Sequence, residues 1–110
     1  MNSLYIVIPA YNEEANIGQV LEDWYPVAER HPGGGKSRIL AVNDGSRDST
    51  LSILREFAAD HPYLEVVDKE NGGHGSSCLA GYRRALDAGA EFIFQTDSDG
   101  QTDPAEFEAF

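Results

Sequence analysis

Apolar positions along this chain follow two alternating rhythms. Leu4-Tyr5-Ile6-Val7-Ile8 is an unbroken apolar run closed by Pro9. Its length and β-branched content predict a strand buried on both faces. Asn12 then offers a helix N-cap, with Glu13 and Glu14 in a first turn where the helix dipole favours anions. Ile17, Val20, Leu21, Trp24 and Ala28 follow at helical spacing. Pro26 is expected to kink or shorten that helix, and His31 to Gly35 reads as a loop. Ile39-Leu40-Ala41-Val42 predicts a second strand ending at Asn43-Asp44-Gly45. Asp48 or Ser49 caps a second helix whose buried face carries Leu51, Leu54, Phe57 and Ala58. A weaker third strand covers Leu64-Glu65-Val66-Val67. A third helix runs from about Ser76 through Leu79, Tyr82, Ala85 and Leu86, and Gly89 ends it. Phe92-Ile93-Phe94 predicts a buried fourth strand.

Strand and helix alternate throughout, which implies right-handed crossovers and a parallel sheet covered by helices, an α/β fold. Ligands of such sheets sit beyond the carboxyl ends of the strands. Three of those ends carry polar residues: Pro9-Ala10-Tyr11-Asn12-Glu13, Asn43-Asp44-Gly45-Ser46 and Asp97-Ser98-Asp99. Parallel strands bring all three to one edge. No internal repeat, linker or low-complexity tract interrupts the pattern.

Composition narrows the chemistry. With 110 residues, 41 % of them hydrophobic, the chain suffices for one small domain with a core. A formal net charge of -11 argues against binding a nucleic-acid backbone or an anionic membrane surface. A phosphorylated small molecule remains compatible if a cation bridges the two negative partners. One cysteine, Cys78, excludes an intrachain disulfide. No apolar run is long enough to span a bilayer, and the N-terminus does not read as a signal peptide.

Carboxylates at the mouth of a buried strand are costly unless compensated, and a divalent cation is the usual compensation. Residues one apart in an extended segment point the same way, so Asp97 and Asp99 can face one ligand. A solvated turn is the plain alternative. An EF-hand loop starting at Gln95 would place Asp97, Asp99, Gly100 and Glu106 at the required offsets, but it needs a helix where the sequence predicts a strand. With Asp48 or Ser49 sufficient for capping, Asp44 is left free to accept hydrogen bonds from a ligand. Asn71-Gly72-Gly73-His74-Gly75-Ser76 leads into a helix, so its backbone N–H groups could meet an anion or simply form a turn. Gly33-Gly34-Gly35-Lys36-Ser37 lacks the spacing and the strand-to-helix context of a phosphate-binding loop. Cys78 reads as a small buried residue, with nothing to place His74 beside it, and Trp24 and Tyr82 read as core.

Four stretches together resemble family 2 glycosyltransferases. They are Ile6 to Glu14, Val42 to Thr50, Asn71 to Gly75, and Gln95 to Gln101. They stand in order across nearly the whole chain. The branch they look most like is that of dolichyl-phosphate mannose synthase and the polyprenyl-phosphate sugar transferases. The resemblance implies a three-layer, Rossmann-like GT-A fold with a mainly parallel sheet. It also implies a nucleotide-diphosphate-sugar donor, Mg2+ or Mn2+, and transfer with inversion to polyprenyl phosphate or a glycan, as in cell-envelope polysaccharide synthesis. By motif position Pro9, Ala10, Tyr11 and Glu13 line the nucleoside pocket and Asp44 contacts the base. Lys69 to Gly75 borders the nucleotide. Asp97 meets the ribose or diphosphate side and the metal, Ser98 lies between, and Asp99 meets the metal.

Two positions depart from the family pattern. Asn43 stands where an Asp is usual, and His74 stands where the glycine loop often has Lys, which weakens a charge contact to phosphate from that position. Family members run to about twice this length or more. Residues 1–110 are therefore expected to be the N-terminal donor-binding half of a single GT-A domain. The acceptor site and the general base are expected beyond residue 110, with donor binding but no transfer from these residues alone. The implied setting is cytoplasmic, at the cytoplasmic face of a membrane in the full-length protein. The rival reading is a non-catalytic nucleotide- or metal-binding module of the same fold. A nucleotidyltransferase is disfavoured, because Tyr11-Asn12-Glu13 follows the first strand in place of a glycine-rich basic loop.

Overall fold

The computed structural model describes residues 3–96. Four strands and three principal helices alternate: β1 (Leu4–Ala10), α1 (Ile17–Arg30), β2 (Arg38–Asp44), α2 (Thr50–Asp60), β3 (Leu64–Lys69), α3 (His74–Asp87) and β4 (Phe92–Gln95). A short 3-10 turn, Gly33–Gly35, precedes β2. All strand pairs are parallel and the order is β3-β2-β1-β4. This is the α/β architecture expected from the alternation.

The continuous apolar run of β1 is explained by its place. Leu4, Ile6, Ile8 and Ala10 pack into a cluster with Ile17, Val20, Leu21, Trp24, Val27 and Leu54 of α1 and α2. Tyr5 and Val7 point the opposite way, with Leu40, Val42 and Ala85 of the α3 side. Both faces are therefore buried. The strand runs on through Pro9, two residues further than the apolar pattern suggested. Pro9 shares the ladder parity of Val7, whose carbonyl accepts Thr96 N–H at 3.0 Å. Its missing N–H thus falls on the β4 side, where the ladder already ends at Val7 and Gln95.

Three expectations about the helices are corrected. Asn12 is not a helix cap: it sits at φ 51, a left-handed conformation asparagine tolerates, and α1 starts only at Ile17 with no acidic residue in its first turn. Pro26 does not end α1, which continues to Arg30. The buried face of α3 is Ser77, Gly81 and Ala85, while Leu79 and Leu86 are 49 % and 65 % exposed and Tyr82 is half-buried. The reason is proximity. A Cβ on Gly81 would intrude on Val7 Cγ1 and lie 3.3 Å from Val42 Cγ2. The helix lies so close to the sheet that only small residues fit. Phe92 is likewise 56 % exposed, so β4 is only partly buried among the described residues.

Candidate functional site

The carboxyl ends of the four parallel strands form one edge of the sheet, and the strand order reverses there. From β1 the chain moves through β2 to β3 on one side, then crosses by α3 to β4 on the other side of β1. The end of β1 borders this switch point, and open α/β sheets take ligands in the crevice at such a point. Ala10 ends β1 here, Tyr11 follows with 45 % of its surface exposed, and Thr96, the last described residue, follows β4. Pro9 and Ala10 are buried strand residues, and Glu13 is half-buried. Asp97, Ser98 and Asp99 lie outside the described residues. Among the described residues no group of three or more His, Cys, Asp or Glu is arranged to hold a metal ion. The EF-hand alternative loses its entering helix, because Phe92–Gln95 is a strand.

The segment after β1 is laced to the turn after β2. Asn12 N–H donates to Ser46 Oγ at 3.0 Å, Glu13 N–H to Thr50 Oγ1 at 2.9 Å and Glu14 N–H to Asp48 Oδ2 at 3.2 Å. In return, Arg47 N–H donates to Asn12 Oδ1 at 2.8 Å and Ser49 N–H to Glu14 Oε2 at 3.3 Å. Ser49 is the N-cap of α2 and makes no side-chain cap bond; Asp48, one residue before it, accepts the first helical amide, Thr50 N–H, at 3.0 Å and the Thr50 hydroxyl at 2.5 Å. Desolvation works against ionised Asp48, but these bonds outweigh it and hold the carboxyl below its ordinary value of 3.8. Polar side chains that local sequence would offer to a ligand are thus spent on fixing two loops to each other. They set the backbone from which Tyr11 and Glu13 project.

Asp44 was expected to be free, and the structure corrects this. It ends β2 at 3 % exposure, and both carboxylate oxygens are engaged. Oδ1 accepts Lys69 Nζ at 2.6 Å and Gly72 N–H at 2.9 Å; Oδ2 accepts Gly73 N–H at 2.9 Å and Asn71 Nδ2 at 3.5 Å. Burial raises its pKa, but the Lys69 ammonium and the two glycine amides more than offset that and leave it lowered from 3.8. The glycine-loop amides therefore do meet an anion, and that anion belongs to the protein. Lys69 Nζ also donates to the Glu70 carbonyl at 2.7 Å. Gly45, at φ 66, lets the β2–α2 turn touch the loop: a Cβ there would stand 2.6 Å from Asn71 N. On the opposite face of β2, Asn43 is 1 % exposed; its amide donates to Asp68 Oδ1 at 3.0 Å and its Oδ1 has no hydrogen-bond partner.

Gly75 sits exposed in the first turn of α3. His74 and Cys78, one turn apart on that helix, do approach: Nε2 and Sγ are 3.5 Å apart, and Cys78 is half-buried, not fully buried as expected. Tyr82, expected in the core, instead donates its hydroxyl to Gln95 Oε1 at 3.0 Å. Among the described residues no helix is long and apolar enough to cross a membrane.

With this geometry in hand, four likenesses bear on function. Residues 5–110 match the family described as Glycosyl transferase family 2. A dolichyl-phosphate beta-glucosyltransferase of Trichomonas vaginalis is 35 % identical over 106 residues, covering 93 % of this chain and 31 % of that protein. The chain thus spans about a third of that relative's length. Among solved structures, S. aureus TarS 1-349 in complex with UDP-GlcNAc superposes with a TM-score of 0.74 at 25 % identity, covering 97 % of this chain and 29 % of that one. A mannosyltransferase from Pyrobaculum calidifontis, in complex with GDP-Man and Mn2+, gives a TM-score of 0.72 at 27 % identity over 87 % of this chain and 27 % of that one.

Proposed function

The chain belongs to glycosyl transferase family 2, and from that premise we propose that it binds the nucleotide-diphosphate-sugar donor of a sugar transfer at the carboxyl edge of its sheet. The observation that carries this reading is Tyr11. It is an exposed aromatic at the end of a strand buried on both faces, placed at the switch point, with the residues on its C-terminal side fixed by bonds from the neighbouring loop. A rigidly mounted aromatic face in a crevice suits a nucleobase. The complexes with UDP-GlcNAc and GDP-Man seen for structural neighbours support a nucleotide-sugar ligand class.

In this reading Tyr11 flanks the base, Glu13 accepts polar hydrogens of the nucleoside, and the loop from Lys69 to Gly75 walls the pocket. Asp97 and Asp99 follow β4 in sequence and are the residues we assign to Mg2+ or Mn2+. A cation held there would neutralise charge developing on the departing nucleotide diphosphate. The acceptor would approach the anomeric carbon from the face opposite the diphosphate, which inverts its configuration. Polyprenyl phosphate is the acceptor class we favour, because the relatives' names include dolichyl-phosphate and undecaprenyl-phosphate transferases. Residues 1–110 supply the donor site, and we assign the general base to sequence outside them.

A thermal-shift screen of nucleoside diphosphates and their sugars, with and without Mn2+, tests the reading. Ligand at 100 times its Kd adds about 2.7 kcal/mol, on the order of 10 °C for a domain of this size. We expect that rise for one nucleotide class, only with Mn2+, and its loss in Asp99→Ala. No rise with any nucleotide, or one indifferent to Mn2+ and to Asp99→Ala, would contradict the assignment.

A further inference from the structure

We infer that Tyr82 is a positioning residue for the cation site: its hydroxyl, bonded to Gln95, fixes the end of β4 from which the chain runs on to Asp97 and Asp99. The cation role rests on the donor-site reading; the hold on β4 does not.

β4 is otherwise lightly held. It has four residues, it begins at the exposed Phe92, and among the described residues β1 is its one strand neighbour. The ladder ends where Val7 faces Gln95, and the next amide, Thr96 N–H, donates to the Val7 carbonyl at 3.0 Å. The Thr96 hydroxyl is buried and makes no hydrogen bond, so that side chain adds no tie at this end. On the α1 face Phe94 lies against Trp24, with ring centroids 5.5 Å apart. Apolar packing of this kind is not directional. The directional side-chain contact is on the α3 face, where the Tyr82 hydroxyl donates to Gln95 Oε1 at 3.0 Å. Gln95 stands two residues before Asp97 in the chain.

The seating of α3 sets the reach of that bond. Gly81 lies so close to the sheet that a Cβ on it would intrude on Val7, and Val7 is the ladder partner of Gln95. Tyr82, the next residue, is thereby carried to the neighbouring strand at the level of Gln95. A phenol spans the remaining gap from helix to strand, and this accounts for a half-buried tyrosine beside a face of small residues. Both partners are neutral, so the pair steadies the strand without adding to a net charge of -11. Two carboxylates one residue apart repel each other until a cation arrives. Ligands held in place beforehand bind an ion more tightly, because less freedom is lost on binding.

Two measurements on the chain test this. The first counts bound Mn2+ by the loss of its free electron paramagnetic resonance signal, with UDP and then GDP present. Tyr82→Phe keeps the ring and loses the bond, so Mn2+ affinity should fall about fivefold, the worth of one hydrogen bond. Gln95→Met should do the same, and Tyr82→Phe/Gln95→Met should be no weaker than either single variant. Ser37→Ala disturbs the opposite edge of the sheet, so it should lower Tm and leave Mn2+ affinity unchanged. The second measurement is amide exchange. In Tyr82→Phe the Thr96 amide should exchange about fivefold faster, while Val42 keeps its wild-type rate. Undiminished Mn2+ affinity in Tyr82→Phe, losses that add in the double variant, or an unchanged Thr96 rate would overturn the inference. An equal loss of Mn2+ in Ser37→Ala would overturn it too, by showing a general loosening of the fold. A wild type that takes up no Mn2+ with either diphosphate would overturn the donor-site reading and the cation role together, and the Thr96 rate would still decide whether Tyr82 holds β4.

Discussion

Gly81 offers the sharpest test of how α3 is seated. A Cβ placed on it would intrude on Val7 Cγ1 and lie 3.3 Å from both Val7 Cγ2 and Val42 Cγ2. Val7 and Val42 are wholly buried in the two central strands and, being β-branched, have little rotamer freedom to yield. Extra atoms forced into such packing cost about 1–3 kcal/mol. Replacing Gly by Ala in a helix returns about 1 kcal/mol. Taking a packing cost of about 2 kcal/mol, Gly81→Ala should lose a net of about 1 kcal/mol and lower Tm by about 4–8 °C. Gly18→Ala is the matched control. It is the same chemical change inside α1, where a Cβ would meet nothing within 4 Å, so it should raise Tm by a few degrees. Thermal unfolding followed by circular dichroism reads both. In Gly81→Ala/Val7→Ala the intruded-upon methyl is gone, so the double variant should be more stable than the sum of its parts, by about 1 kcal/mol of coupling. Equal stabilisation by Gly81→Ala and Gly18→Ala, or strict additivity in the double variant, would refute close seating of α3.

The other expectations follow from single bonds. Ser37 Oγ, wholly buried, accepts Leu4 N–H at 2.9 Å and donates to the His31 carbonyl at 2.5 Å. Ser37→Ala should cost about 1–3 kcal/mol, because it strands a buried amide; an unchanged denaturant midpoint would contradict this. Asp44 and Asp48 both have pKa values lowered from 3.8 in the folded chain. A lowered folded-state pKa adds stability that is complete above the unfolded value and fades as pH falls through the folded one. Stability should therefore drop below pH 3.8, and Asp44→Asn should show a shallower acid limb in unfolding titrations; parallel limbs would contradict the hydrogen bonds drawn to Asp44. Tyr11→Ala, at a half-exposed position, should leave Tm nearly unchanged and weaken nucleotide binding by about 1–3 kcal/mol if the ring stacks on the base. Equal calorimetric affinity for the two proteins would remove Tyr11 from the site.

The parts of this structure legible in the sequence are those set by local pattern. The apolar run of β1 encodes a two-sided environment, and the spacing of Ile17, Val20, Leu21, Trp24 and Ala28 encodes the buried face of α1, because hydrophobic burial follows the period of each element. The α3 face misleads for a physical reason. Bulk ordinarily marks a core face, but a helix pressed against a sheet needs small residues there. Ser77, Gly81 and Ala85, four apart, were the available signal. Asn12 misleads because the same side chain suits a helix cap and a left-handed turn, and its Oδ1 partner, Arg47 N–H, lies 35 residues away. The strand edge holding Asp44 was legible from the alternation, but the role of Asp44 was not. Its carboxylate is satisfied by a loop 25 to 29 residues on, and no local pattern announces a tertiary hydrogen bond. Sequence offers Asp48 or Ser49 as the cap of α2; Ser49 takes that place, and the bond from Glu14 N–H to Asp48 depends on how two loops meet at the sheet edge.

The central claim, a cation-dependent nucleotide-diphosphate site at the carboxyl edge of the sheet, is tested most directly by calorimetric titration of the chain with UDP and with GDP, in the presence of Mn2+ and after its removal by chelation. The account predicts binding of one of the two diphosphates with Mn2+, and at least a tenfold loss of affinity without the ion or in Asp99→Ala. An affinity that is the same with and without Mn2+ would contradict it.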